Sequence, residues 1–278
     1  MVKSITLCAD DYGQNTAISQ AIIALLKEKR LSAVSCMTTA PEWPAHAREL
    51  AIFKDQTDIG VHFNLTEGKP LSSAFIALYG SSFPSLFTLL KKCYLRQLDP
   101  TVVYAELNAQ LDQFISSMGR LPDFIDGHQH VHQFPIIREA TLALYAERLR
   151  DHFCYVRSVY DPKAWLRIRE NAYIKQLIIQ LCGAHEFKKQ LIQRNIPHNS
   201  SFSGIYNFAP AAAYAQLFPR FLQQSENRGL IMCHPGLSQS QNKDEIKAAR
   251  ALEYDYFQSE QFVAACLQHH VIIKRFSF

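Results

Sequence analysis

Short apolar runs that stop at a polar cluster and give way to a helical repeat recur along this 278-residue chain, and that alternation limits its fold more than any other feature. Ser4 to Ala9 is such a run, ending at Asp10-Asp11 ahead of the turn-forming Gly13, and Thr16 to Lys29 then carries apolar residues at helical spacing. Ala33 to Thr39 predicts a second strand, Pro41 and Pro44 punctuate a loop, and Ala45 to Phe53 predicts a helix. Asp58 to Leu65 predicts strand three. Leu107, Leu111, Phe114 and Ile115 give Val102 to Met118 one apolar helical face, and Phe124 to Asp126 follows as a short strand. Beyond it the pattern predicts a helix over Ile136 to Leu149, strands at Tyr155 to Arg157 and Leu230 to Cys233, one helix over Glu245 to His269, and a closing strand at Val271 to Arg275.

Strands alternating with helices imply parallel βαβ units, and this many in one chain point to a closed or partly closed α/β barrel. A doubly wound open sheet is the runner-up, but neither a Gly-x-Gly-x-x-Gly nor a Walker-type loop is present to support it. No Pro/Gly/Ser-rich linker divides the chain, so residues 1–278 read as one domain, with the longest insertions around 68–100 and 160–205.

Charge and cysteine usage exclude several classes. The 29 basic and 25 acidic residues nearly balance, with no basic run to follow a phosphate backbone, so nucleic acid is not an expected partner. The seven cysteines fall singly, mostly in apolar stretches, with no C-x-x-C pair, as expected of reduced, buried thiols. Met1-Val2-Lys3 leads straight into the first strand without a secretory leader, and no run of about 18 apolar residues could cross a bilayer. Cytoplasmic residence is the expectation.

The polar residues gather at strand ends: Asp10 and Asp11 after the first strand, His62 and Asn64 near the end of the third, Asp126 and His128 after a later one, and His234 after a still later one. In an α/β barrel these ends share the rim where loops converge on one mouth. Singly, each has an ordinary explanation: a carboxylate pair caps helices, and a lone histidine is commonly a hydrogen-bonded, half-buried one. The run Asp126-Gly127-His128-Gln129-His130-Val131-His132 does not, since neither a helix core nor a strand face calls for three imidazoles. Two imidazoles and a carboxylate suit an open divalent-metal site, with one of the adjacent aspartates left to take a proton from water.

Four ordered segments carry a resemblance: Ala9-Asp10-Asp11-Tyr12-Gly13, Gly60 through Gly68, Asp126 through His132, and Met232-Cys233-His234-Pro235-Gly236. They resemble the successive motifs of the YdjC-type carbohydrate deacetylases, a family that includes chitooligosaccharide deacetylases and a relative associated with hopanoid biosynthesis. The resemblance implies a distorted or incomplete TIM-like (β/α) barrel related to polysaccharide deacetylases. It makes Asp11, His62 and His128 the metal ligands, Asp10 the general base and His234 the acid or oxyanion partner. Asn64, His130, His132 and Arg157 fall on the substrate side. One divalent metal is implied, magnesium by resemblance, with zinc also suited to two histidines and a carboxylate. The implied substrate is an acetylated amino sugar, a chitooligosaccharide or a glycolipid head group, and a homodimer is compatible with the reading. Two positions depart from the pattern: Tyr12 stands where Phe is more usual, and Gly127 where Ser is expected.

Overall fold

The computed structural model describes residues 2–162, 179–208, 214–238 and 244–276. Eight strands are present among them: β1 (Lys3–Tyr12), β2 (Ala33–Cys36), β3 (Asp58–Phe63), β4 (Phe124–Gly127), β5 (Tyr155–Val156), β6 (Phe202–Ser203), β7 (Gly229–Cys233) and β8 (Val271–Ile273). Every pairing is parallel, in the order β5-β4-β3-β2-β1-β7-β6, with β8 joined to the first residues of β1. The order curls towards closure, because His198, shortly before β6, bridges to Val156 of β5. The result is the partly closed barrel expected from the alternation, in the distorted form that the resemblance implied.

The helices are α1 (Thr16–Lys27), α2 (Trp43–Leu50), α3 (Ser73–Tyr79), α4 (Leu86–Tyr94), α5 (Pro100–Met118) and α6 (Ile137–Leu144), followed by His185–Gln193, Tyr214–Gln224, Lys247–Gln258 and Glu260–Gln268. α5 shows how locally coded they are. Asp99 caps its first amides, Pro100 occupies the first helical position, and Gly119 ends it in the left-handed region at φ 67°. Leu107, Leu111 and Phe114 turn inward, each burial stabilising the fold by roughly 1.5–3 kcal/mol. β2 to β7 are buried along their whole length because helices cover one side and the barrel interior the other.

Boundaries differ in two instructive places. The single helix expected over 245–269 is two, broken at Ser259, which takes extended angles (φ −76°, ψ 157°) while its hydroxyl donates to the Tyr256 carbonyl. Serine offers the backbone that local alternative to the helix. The first strand runs on to Tyr12 rather than stopping at Ala9, and that extension shapes the site. Of the insertions, the one around 68–100 holds α3 and α4 and runs to the start of α5, whereas the one around 160–205 lies partly outside the described residues.

Candidate metal centre and active site

Beyond Ala9 the pairing of β1 with β2 slips, so that Tyr12 faces Cys36, and Asp11 adopts φ 67°. A regular strand would send Asp10 and Asp11 to opposite faces. The bulge instead turns both carboxylates into one buried mouth, at a backbone cost of about 1–3 kcal/mol. Ion pairs offset that cost. Asp11 Oδ2 accepts from Arg250 Nη2 at 2.7 Å, and Oδ1 lies 2.9 Å from His128 Nδ1 and 3.4 Å from His62 Nε2. Burial pushes the Asp11 carboxyl up, but Arg250 and His128 together outweigh it and hold the group well below the usual range.

Asp11, His62 and His128 thus offer three ligand atoms within 4.8 Å of one another. The surroundings of His62 point the same way. Its Nδ1 donates to Asp126 Oδ1 at 2.7 Å, which fixes the ring and leaves Nε2 facing Asp11. A ring nitrogen tied to a carboxylate while the other faces the ion is the usual second support of a metal-binding histidine. A divalent cation therefore fits these residues. A second group, Cys8, Asp10 and Asp126, looks similar by residue type, but its cation is already present. The fully buried Arg157 guanidinium fills it, with Nη1 and Nη2 on the two Asp10 oxygens at 2.7 and 2.6 Å and Nη2 also 2.6 Å from Asp126 Oδ2.

That arrangement moves Arg157 from the substrate side, where the resemblance put it, to beneath the site: it has no exposed surface to offer a ligand. It orients Asp10 instead. Across from Asp10 Oδ2, His234 Nε2 stands 4.0 Å away. Burial holds the His234 imidazole down at about 4, so it is neutral at rest and must receive a proton before giving one. His132 is also closed off, its Nε2 donating to the Arg157 carbonyl at 3.0 Å. His130 packs edge-on against Phe202, 5.7 Å between ring centres, with its Nδ1 unpartnered. Neither belongs to the metal cluster. Asn64 braces the rim: its amide nitrogen donates to Thr39 Oγ1 and the Glu67 carbonyl, and its oxygen accepts from the amides of Thr66 and Glu67.

Arg250 and Glu253 were not singled out from sequence, and Asp126 and Glu67 were noted at the rim without a role in the metal centre. Asp126 was legible only as a strand end, yet it fixes His62. Arg250 and Glu253 lie one turn apart on the helix Lys247–Gln258, where charged residues ordinarily mean a solvated face. Both are buried, Glu253 accepting from the Tyr206 hydroxyl at 2.6 Å and from the His234 amide. Burial raises the Glu253 carboxyl to about 7. Glu67, exposed at the mouth, reaches His128 Nε2 at 3.1 Å and accepts from Gln14 Nε2 at 2.8 Å.

The departure at Gly127 has a steric reason. A Cβ there would lie 2.9 Å from both the backbone nitrogen and Nδ1 of His132, closer than side chains tolerate. Gly127→Ser is therefore expected to destabilise the protein by about 1–3 kcal/mol, read as a lowered urea midpoint. A midpoint at or above that of the parent would show that the 127–132 turn relaxes freely.

Residues 4–268 match the family described as YdjC-like protein. A zebrafish (Danio rerio) carbohydrate deacetylase is 32% identical over 57% of this chain, although the match spans only 50% of that protein's length. The chitooligosaccharide deacetylase of Yersinia enterocolitica is 26% identical over 84% of this chain and 82% of its own. Among solved structures, a protein of Enterococcus faecalis V583, put forward as cleaving cellobiose phosphate, superposes with a TM-score of 0.72 at 20% identity, covering 100% of this chain and 98% of that one. The Bc1960 peptidoglycan N-acetylglucosamine deacetylase superposes at 0.52 and 11% identity, over 98% and 85% respectively. At those identities the two structures speak for the fold alone. With the family match running from β1 nearly to β8, the chain belongs to the YdjC-like family.

Proposed function

We propose that this protein is a metal-dependent hydrolase that removes the N-acetyl group of an acetylated amino sugar, either a chitooligosaccharide or the head group of a glycolipid. The observation that carries the reading is the pairing of the Asp11–His62–His128 cluster with an Asp10 that Arg157 holds rigidly 4.0 Å from His234. Family membership and the names of the relatives support it. Asp11, His62 and His128 would hold the cation, magnesium by family resemblance or zinc by donor type. Such an ion supplies Lewis acidity to the amide carbonyl and makes water a better nucleophile near neutral pH.

The remaining work falls to the chain's own groups. Asp10, its carboxylate oriented by Arg157, takes the proton of the attacking water. His234, neutral at rest and adjacent to Asp10 Oδ2, relays that proton to the leaving nitrogen, so acetate and a free amine depart and Asp10 is restored. A glycosidase would need two free carboxylates flanking the bond. Asp10, Asp11 and Glu67 are each committed to partners, Arg157, Arg250 and His128 respectively. The test is to incubate the purified protein with N-acetylated sugars and glycolipids in the presence of magnesium or zinc. Acetate release that EDTA abolishes supports the reading, and shortened sugars or no acetate across the panel refute it.

A pH dependence follows from the ligands themselves. Burial lowers His62 and His128, but the carboxylates of Asp126 and Asp10 around the first and of Asp11 and Glu67 around the second more than compensate, placing them at about 10 and about 9 before metal binds. A cation must displace those protons. Metal affinity should therefore rise with pH up to about 9–10, with protons released on binding. Calorimetry in buffers of different ionisation enthalpy measures the release, and affinity that stays constant from neutral pH up to the histidine range would count against these ligands.

A further inference from the structure

Between Gly68 and Leu98 the chain carries Lys69, Lys91, Lys92 and Arg96 but no Asp or Glu. This segment forms α3 and α4 just past the rim residue Glu67. Phe75, Phe83, Leu89 and Cys93 turn inward. The opposite stripe of α4 is unusual: Phe87, Lys91, Tyr94 and Leu95 share one helical face, and all four are exposed, Phe87 by 77% and Leu95 by 55%. α3 adds exposed Ile76 and Leu78, and Lys92 Nζ, 5.1 Å above the Tyr79 ring, ties the two helices together. Single exposed apolar residues need no explanation, but aromatic and aliphatic side chains aligned along one face around a lysine do.

We propose that this face docks on a lipid surface bearing anionic headgroups. Phe87, Tyr94 and Leu95 enter the interface, while Lys91 and Arg96 meet the headgroups, the chemistry that holds basic amphipathic helices to membranes. Among the described residues no helix is long and apolar enough to cross a bilayer, so the contact is peripheral. Charge argues against a second copy of the chain as the occupant. A two-fold contact lays a patch on itself, and this one would bring its cations together with no acid from 68–98 to pair them. The inference does not depend on which reaction the site performs.

Vesicle co-sedimentation of the full chain tests it, with phosphatidylcholine vesicles alone and with about 30% phosphatidylglycerol, a content chosen to give a strongly negative surface. Binding is expected to the mixed vesicles, at least about tenfold weaker to the neutral ones and weakened by added salt. Phe87→Ser/Leu95→Ser and, separately, Lys91→Glu/Arg96→Glu should each reduce binding about tenfold or more while leaving circular dichroism and melting unchanged. Equal or absent binding to both vesicles overturns the proposal, as does full binding by the Phe87→Ser/Leu95→Ser variant. A parent dimer that the same variant converts to monomer would assign the face to a second copy and overturn it as well.

Discussion

An Asp11→Ala protein is expected to purify without bound metal and with kcat/KM for deacetylation lowered at least about 10³-fold, because the ion's charge stabilisation is worth several kcal/mol. The loss has two sources. The variant removes the one carboxylate oxygen that faces both His62 and His128, and it leaves the buried Arg250 with Asp244 alone to offset its desolvation. Asp10→Asn provides the contrast, since Asp10 touches Arg157 rather than the imidazole pair. It should retain stoichiometric metal while turnover falls about 10²–10⁴-fold, the usual contribution of a general base. Metal content by elemental analysis, measured beside acetate release, separates the two roles. Full turnover by Asp11→Ala, or metal loss by Asp10→Asn, would overturn the assignment of these neighbours.

The second large effect is on stability. Replacing Arg157 with Met keeps a long apolar stem but leaves the Asp10 and Asp126 carboxylates buried without their shared cation. Removing one member of a buried charge network costs about 3–5 kcal/mol, a large share of the roughly 5–15 kcal/mol that stabilises an ordinary domain. Lysine should rescue poorly, because a single ammonium cannot reproduce the planar fork that reaches both Asp10 oxygens and Asp126. Urea unfolding checks this, and a change under about 0.5 kcal/mol, typical of a surface substitution, would mean that the network is not what holds these strand ends together.

The same network marks the limit of what local pattern can carry. Arg157 ends a short predicted strand, and it was the resemblance that put it on the substrate side. Its actual partner is 147 residues away in the chain, and only the curl of β1 against β4 and β5 brings the two together. Arg250 pairs with Asp11 across 239 residues, and Glu253 reaches the His234 amide from the same helix. That helix also carries Lys247 and Asp255, and nothing in the spacing of the four charges distinguishes the buried Arg250 and Glu253 from a solvated face.

Periodicity alone determined the alternation of strands and helices, the barrel class that follows from it, and the placement of Asp10, Asp11, His62, His128 and His234 at strand ends, because local backbone preference and the apolar pattern act over a few residues at a time. Resemblance then separated Asp11 from Asp10. Only the tertiary structure decided how the two face one mouth, through a bulge and a φ of 67° that no residue type announces. It also decided that Arg157 lies beneath the site, that His234 rests neutral, and which distant charges neutralise the buried carboxylates. Those outcomes depend on burial and on long-range approach, which exist only once the strands have paired.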